Sequence, residues 1–405
     1  MPLRARHNLP LIPRTPPLHN AELEKSFLHV LLVTLDLPER IPHLVWFVCV
    51  AGLDVWLAQW LGVSNVVLLA IAQFGDWVLL MALSRRRISF GPVQPQWLAL
   101  VMLRIGVAFI CNALPMFVVA DLNLLNVVLQ AIGSVHVYYG YHIEPSVFRL
   151  SRIELTIPSF KQGSPMRLLH IADVHLERQG RREAQLLQTV RELQPDALLF
   201  TGDFLNLSNV HDPIAQQQAH ELWKQLCAVA PVYAVTGSPP VDAPEAVTKI
   251  MEGLPIVWLC DEARDVTVCG NALRIVGTSC THEPKHDSEV LRRVLVGDGR
   301  RETANDPPSF TILLHHSPDL APQAAATGLI DLQLSGHTHG GQVRLPWFGA
   351  LVTASFYLKA LEMGLYQLND MLLFVSRGIG LEGKGAPRVR FNCRPEVTLL
   401  VLRAE

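Results

Sequence analysis

The sequence predicts an all-α bundle of membrane-spanning helices followed by an α/β or α+β domain. Two observations predict it. From Ile41 to about Ile143 the residues are almost continuously hydrophobic, whereas from Ser151 onward short Val/Ile/Leu runs alternate with charged stretches of helical type. The composition agrees: of 405 residues, 50% are hydrophobic and 17% charged, and the mean hydropathy of +0.26 places part of the chain in lipid.

Three segments follow in order: an arm (1–40), a four-helix transmembrane domain (41–145) and a second domain (151–405). The arm opens with "MPLRARHNLPLIPRTPP", polar and proline-rich, without the charged-then-apolar layout of a signal peptide. Its second half, "HNAELEKSFLHVLLVTLDL", has helical periodicity after an Asn20 cap and suits a helix lying on a membrane surface. Four spans of roughly 20 residues, the length that crosses a bilayer, follow at about Pro42–Leu61, Asn65–Leu83, Trp97–Val119 and Leu122–Tyr141. The turns "GVS" and "AD" join them into two hairpins, and Trp46, Trp56, Trp60, Trp77, Trp97, Tyr138, Tyr139 and Tyr141 lie mostly near span ends, as interfacial aromatics do.

Arg85, Arg86 and Arg87 in "SRRRIS" place the loop between spans two and three in the cytoplasm by the positive-inside rule. That puts Arg4, Arg6 and Arg14 inside as well. An even number of spans then returns the second domain to the cytoplasmic face of the plasma (inner) membrane. Asp121 sits at a hairpin tip, whereas Asp54, Asp76 and Arg104 interrupt spans and require partners or interfacial positions. Pairing of Arg104 with Asp54 or Asp76 for structural neutralisation is expected.

In the second domain, "MRLLHIADVH", "DALLFTGD", "VYAVTGS", "ALRIVGTS", "FTILLHHSPD", "DLQLSGHTH", "MLLFVSRGIG" and "EVTLLVL" read as strands, each but the last ending in a polar or glycine-containing cluster. "RREAQLLQTVRELQ" and "QQQAHELWKQLCAV" read as helices between them. The net charge of -2 gives no support for a nucleic-acid partner. The seven cysteines (Cys49, Cys111, Cys227, Cys260, Cys269, Cys280, Cys393) form no CxxC pair and read as reduced thiols, against a zinc ribbon or a disulfide scaffold.

The chemistry sits at the strand ends. Asp173 and His175 lie two apart, so on an extended chain both would project from one face. Asp203 follows Gly202 after an apolar run. His316 ends "TILLHH" with His315 pointing the other way, and His337 and His339, again two apart, stand in "LSGHTHGGQ". Two Asp and four His without a thiolate suit Mn, Fe or Zn, and a bridging carboxylate could hold two ions about 3.5 to 4 Å apart.

Read in order, D-x-H, G-D, a strand ending in glycine, H-x-P and G-H-x-H-G-G-Q resemble the calcineurin-like metallophosphoesterase superfamily, in its membrane-associated bacterial branch of UDP-2,3-diacylglucosamine pyrophosphatase type, with lipid A biosynthesis as its setting. The closing "RGIGLEGKGAPRVRFNCRPEVTLLVL" is similar to that branch too. The resemblance covers about Met166 to Arg403. It implies a sandwich of two mixed β-sheets flanked by helices, with two divalent metal ions at the strand ends. By the same resemblance Asp173, His175, Asp203 and His339 hold the first ion, Asp203 bridges, and His316 and His337 help hold the second.

One stretch departs from the family pattern. Where the family has G-N-H-D or G-N-H-E, this chain has Gly237, Ser238, Pro239 and Pro240, so the Asn ligand and the His that assists the leaving group are replaced. Ser238 offers a hydroxyl as a poorer ligand, and Pro239 transfers no proton. Losing a general acid typically costs on the order of 10² to 10⁴ in rate. A pyrophosphate bond tolerates that loss best, because its leaving group is already a stable anion. Asp242, His282 and His286 are the nearest replacements by composition. The expected function is therefore a membrane-anchored, metal-dependent phosphoesterase acting on a lipid-linked or nucleotide-linked phosphodiester or pyrophosphate. The alternative is an impaired enzyme that serves as a metal- or phosphate-binding sensor or scaffold.

Overall fold

The computed structural model describes residues 4–7, 11–12, 37–84, 93–113, 122–297, 310–382 and 388–405. Two compact units emerge: Glu24–Ile143 with Glu382–Val389, and Met1–Leu23 with Glu144–Leu381 and Arg390–Glu405.

The first unit is helical, with helices His43–Leu61, Val63–Ser84, Val93–Ala113 and Leu122–Tyr138. Gly62, at φ 79°, separates the first two. Pro95 is tolerated in the third because it falls in the first turn, where the N–H it lacks would have had no intrahelical acceptor. Three of the four are long and apolar enough to cross a membrane. The fourth has 17 residues and runs into a π-helical turn, Tyr139–Ile143. Relative to the sequence reading, the second and third helices begin two and four residues earlier. Arg85–Arg87, Asp121 and residues 13–36, including the expected surface helix, lie outside the described residues.

Polarity in this unit is inverted relative to a water-soluble bundle. Leu44, Val55, Ile71, Met102 and Ile110 are exposed, while Asp54, Gln73, Asp76, Arg104 and Gln130 are buried. Lipid favours that arrangement. The partner of Arg104 is Asp76: its Nε and Nη2 donate to the two carboxylate oxygens at 2.6 and 2.7 Å. Further bonds run from Nη1 to the Gln130 carbonyl and Oε1, both at 3.1 Å, and from Nη2 to Ser134 Oγ at 3.0 Å. Asp54 instead accepts from Gln73 at 3.4 Å.

The second unit is a sandwich of two mixed sheets, as the resemblance implied. One sheet holds β1 (Arg4–His7), β3 (Arg149–Thr156), β16 (Glu396–Arg403), β4 (Met166–Ile171), β5 (Ala197–Phe200), β6 (Val232–Ala234) and β7 (Ile256–Trp258), in that spatial order. The other holds β2 (Leu11–Ile12), β14 (Gly364–Leu368), β15 (Met371–Val375), β11 (Leu332–Ser335), β10 (Phe310–Leu314), β9 (Asn271–Gly277) and β8 (Glu262–Val268). A small ribbon of β12 (Arg344–Leu345) and β13 (Gly349–Ala350) completes the strands. All eight apolar runs singled out in the sequence are strands. Residues 4–7 and 11–12 of the arm add β1 antiparallel to β3 and β2 parallel to β14, pairing an edge of each sheet.

Ile153, Met166 and Leu199 of one sheet meet Ile312, Leu334 and Phe374 of the other to form the inner core. The outer face of the first sheet is covered by helices Arg181–Leu193 and Pro213–Cys227 through Leu186, Val190 and Trp223. β4, β5 and β6 run parallel, as do β9, β10, β11 and β15. The loops leaving their C-terminal ends therefore emerge at the same side of each sheet, and they carry the candidate ligands.

Candidate metal centre

The structure brings all six predicted residues together, though not by strand alternation. β4 stops at Ile171, and Asp173 and His175 follow at φ 48° and 40° in the left-handed region. They share a site because their loop is tied to the next one: Asp173 N donates to Gly202 O and His175 N to Asp203 O, both at 3.1 Å. Asp203, His337 and His339 also sit at positive φ, 64°, 69° and 50°. Left-handed non-glycine residues cost roughly 1 to 3 kcal/mol each and cluster where function demands them. Two glycines give the carboxylates room. A Cβ on Gly237 would lie 2.0 Å from Asp203 Oδ1, and one on Gly378, at φ 67°, would lie 2.5 Å from Asp173 Oδ2.

Asp203 is the hub. Its Oδ2 is 3.2 Å from His175 Nε2 and 3.3 Å from His316 Nε2. The other nitrogen of each ring is committed to backbone, His175 Nδ1 to Leu205 O at 3.2 Å and His316 Nδ1 to Thr201 O at 2.8 Å. His339 Nε2 lies 3.1 Å from His175 Nε2. His337 closes the far side, its backbone N–H on Asp173 Oδ1 at 2.9 Å and its ring centroid 5.0 Å from that of His316. Donor atoms of Asp173, His175 and His339, and of Asp173, Asp203 and His316, lie within 4.8 Å of one another, all buried.

These residues fit a divalent cation. With Nδ1 of His175 and His316 donating to carbonyls, loss of the Nε2 proton would turn the lone pairs of both rings toward Asp203, as a cation ligand requires. Asp173 Oδ2 is buried with no hydrogen-bond partner at all. Burial raises the Asp173 carboxyl to about 6 despite the nearby His316. Burial acts in the same direction on Asp203, but the His316 and His175 imidazoles outweigh it and hold that carboxyl well below the usual range. Burial opposes protonation of His316, and the Asp203 carboxylate overrides it, lifting the ring to about 9. A bound cation would take over the work those imidazole protons do here.

The turn after β6 explains what replaced the family Asn and His. Ser238 N donates to Asp203 Oδ1 at 2.7 Å and Ser238 Oγ lies 3.2 Å from His316 Nε2, so the serine reaches the site. Pro239 and Pro240 are exposed and fold the chain back, with Asp242 N on Ser238 O at 2.8 Å. Asp242 then accepts from Asp203 N, Gly237 N and Phe204 N at 2.8, 2.7 and 2.9 Å. It holds loops together and is not the spare acid that composition suggested. His286 is exposed on helix Pro284–Gly297. His282, at φ 61°, is the one of the three that arrives, its ring centroid 4.5 Å from that of His337. Burial, with the His316 charge adding to it, lowers the His282 ring to about 4.

Sequence reasoning missed Arg390. It is fully buried and donates to the carbonyls of Arg377, Gly380 and Cys393, with Nη2 3.4 Å from His339 Nδ1. Its only signal was an arginine inside "APRVRFNC".

Residues 166–341 match the family model described as calcineurin-like phosphoesterase. This chain carries a calcineurin-like metallophosphoesterase domain. Among similar proteins, the uncharacterized metallophosphoesterase YkuE of Bacillus subtilis is 27% identical over 66% of this chain and 90% of its own. The phosphodiesterase YaeI of Escherichia coli is 28% identical over 65% and 92%. The UDP-2,3-diacylglucosamine pyrophosphatase LpxG of Chlamydia muridarum is 26% identical over 65% and 91%. The metallophosphoesterase domain is that of a hydrolase acting on phosphoester bonds.

Proposed function

We propose that the protein is a membrane-anchored, metal-dependent phosphoesterase that hydrolyses a pyrophosphate or an activated phosphodiester, with a lipid-linked or nucleotide-linked substrate at the cytoplasmic surface. One observation carries the reading: six ligand-type side chains, Asp203 among them, gather from loops of both sheets in one buried site. Asp173, His175, Asp203 and His339 would hold one divalent ion, and Asp203, His316 and His337 a second, with Ser238 as a weak additional oxygen donor. Such ions neutralise charge growing on the phosphoryl oxygens and lower the pKa of water.

The rest falls to the chain itself. Ser238 N–H fixes one oxygen of Asp203, leaving the other for the cations. Asp242 locks the Asp203 and Gly237 loops together. No side chain on Pro239 can protonate a leaving group, which favours one that departs as a stable anion. The name of the chlamydial relative, a pyrophosphatase, is in keeping with that choice. Four spans, with the arm and the phosphoesterase domain both cytoplasmic and a domain boundary at residues 145–151, would place the site at a lipid interface and raise the effective concentration of a lipidic substrate.

The test is turnover by full-length protein in detergent, with metal removed and restored, on bis(p-nitrophenyl) phosphate, an alkyl phosphodiester and a UDP-linked pyrophosphate. Wild type should cleave the pyrophosphate in a metal-dependent way, and Asp203→Asn should fall to background. Combining Ser238→Asn with Pro239→His should accelerate the alkyl diester, whose leaving group needs a proton, by about 10² to 10⁴ and the pyrophosphate far less. If wild type is inert and only the restored variant turns over, the domain is a sensor or scaffold. Equal rates for wild type and Asp203→Asn would assign the activity to a contaminant. A reporter fused after Glu405 that responds from outside the cell would refute the orientation.

A further inference from the structure

The loop after β9 carries a second constellation that the phosphoesterase reading does not use. Cys280, Asp287 and His315 are 3%, 2% and 1% exposed, and one sulfur, one carboxylate oxygen and one imidazole nitrogen from them lie within 4.8 Å of one another. His315 Nδ1 is engaged with Thr278 Oγ1 at 2.9 Å. Its Nε2 faces Asp287 Oδ2 at 3.6 Å, too far for a hydrogen bond, and has no hydrogen-bond partner. Asp287 is aimed by Thr281, whose hydroxyl and N–H donate to Oδ1 at 2.6 and 3.2 Å, while the same N–H lies 3.2 Å from Oδ2. The oxygen without the hydroxyl bond is the one turned to His315.

Left as it stands, the cluster is costly. A buried nitrogen without a hydrogen-bond partner keeps the full cost of its lost water, and here it confronts a carboxylate and a thiol with no proton bridging the nitrogen and the carboxylate. A cation among the three atoms removes the conflict. Two N/O donors on one tetrahedral ion, each about 2.0 to 2.1 Å from it, sit roughly 3.4 Å apart, close to the His315–Asp287 separation. The mixed sulfur, nitrogen and oxygen set, with a thiolate, favours zinc over magnesium or manganese.

We propose that Cys280, Asp287 and His315 form a separate mononuclear zinc site, with a fourth position for water. It stands apart from the Asp203 centre, which contains no sulfur, and it does not rest on the proposed phosphoesterase activity. Its structural effect is on the loop between: Cys280 Sγ lies 3.6 Å from His282 Nδ1, so anchoring Cys280 fixes the histidine that stacks on His337. The cysteine thus has a role beyond its reading from sequence as a reduced thiol.

Cobalt substitution tests this, because only a thiolate ligand gives sulfur-to-Co(II) charge-transfer absorption in the near ultraviolet. The full-length protein, stripped with chelator and titrated with Co(II), should show that band. Asp203→Asn should keep it, Cys280→Ser should lose it, and Asp287→Asn, which preserves both thiol and volume, should require at least tenfold more Co(II) to develop it. Zinc content after loading should fall by one equivalent in Cys280→Ser while Asp203→Asn retains that equivalent. Absence of the band in wild type would overturn the proposal without reference to any variant. So would a band that survives Cys280→Ser, or one abolished by Asp203→Asn, which would assign the ion to the other centre.

Discussion

Two of the buried groups of charged side chains among the described residues are built in opposite ways. In the helical unit, Arg104 spends its guanidinium on both oxygens of Asp76, on Gln130 and on Ser134. In the sandwich, Asp203 Oδ2 meets two imidazole nitrogens whose ring partners are already committed, and Asp173 Oδ2 meets nothing. The first group is complete and neutral in itself. The second leaves a buried carboxylate oxygen without a hydrogen-bond partner, so the same burial that makes one a structural tie makes the other a candidate receptor for a divalent cation.

The largest expected effect separates the two directly. Asp173→Asn should weaken divalent-metal affinity by more than the roughly 10- to 100-fold typical of losing an outer-shell partner, since this residue is a proposed ligand. In chelator, the same variant should melt at the same temperature or higher, because it removes a buried charge one of whose oxygens, Oδ2, has no hydrogen-bond partner. A lower melting point in chelator would mean that the carboxylate is structural after all. Arg104→Leu should do the reverse, destabilising the detergent-solubilised protein by about 3 to 5 kcal/mol by stranding Asp76, whereas Arg104→Leu with Asp76→Leu should recover most of the loss. Equal melting temperatures for the single and double variants would contradict the pair.

The smallest effect concerns pH. His170 is fully buried, accepts or donates one bond with Thr201 Oγ1 at 2.9 Å, and has no partner at Nδ1. Burial, only partly offset by Glu396, lowers it to about 3 from an ordinary 6.5. The unfolded chain therefore takes up the proton first. Stability is intact above pH 6.5 and declines as pH falls toward 3, by about 2 kcal/mol between pH 6.5 and 5. Thermal unfolding of metal-free protein across that window should show the slope, and His170→Gln should reduce it by this histidine's share, the buried His282 and His315 rings retaining theirs. A wild-type slope unchanged in the variant would place the titration elsewhere.

Strands and the gathering of the candidate ligands were legible in the sequence because their signal is local. Each of the eight apolar runs is bounded by polar or glycine residues, and Asp173, His175, Asp203, His316, His337 and His339 stand directly after them. Backbone handedness was not legible: a D-x-H pair reads as extended until the chain is known to turn left-handed at both residues. Nor were Asp242 and Arg390. Their work is on backbone groups of loops far away in sequence, Asp203 and Phe204 for the first and residues 377–380 for the second, and an isolated Asp or Arg carries no mark of such a target. In the helical unit apolar length located the helices, while the choice of Asp76 over Asp54 for Arg104 depended on packing that hydropathy does not encode.

The position of β16 has a consequence for how the molecule is made. Residues 396–403 lie inside the first sheet, parallel to β3 and antiparallel to β4, which are more than 220 positions earlier in the chain. A ribosome has therefore released every loop of the centre before the strand that separates β3 from β4 is available. Long-range pairing of this kind is slow. The apolar helices can enter a bilayer during translation, but the sheet that carries Asp173 and Asp203 can be finished only after residues 396–403 have emerged, and until then those loops are exposed to chaperones, proteases and stray metal alike.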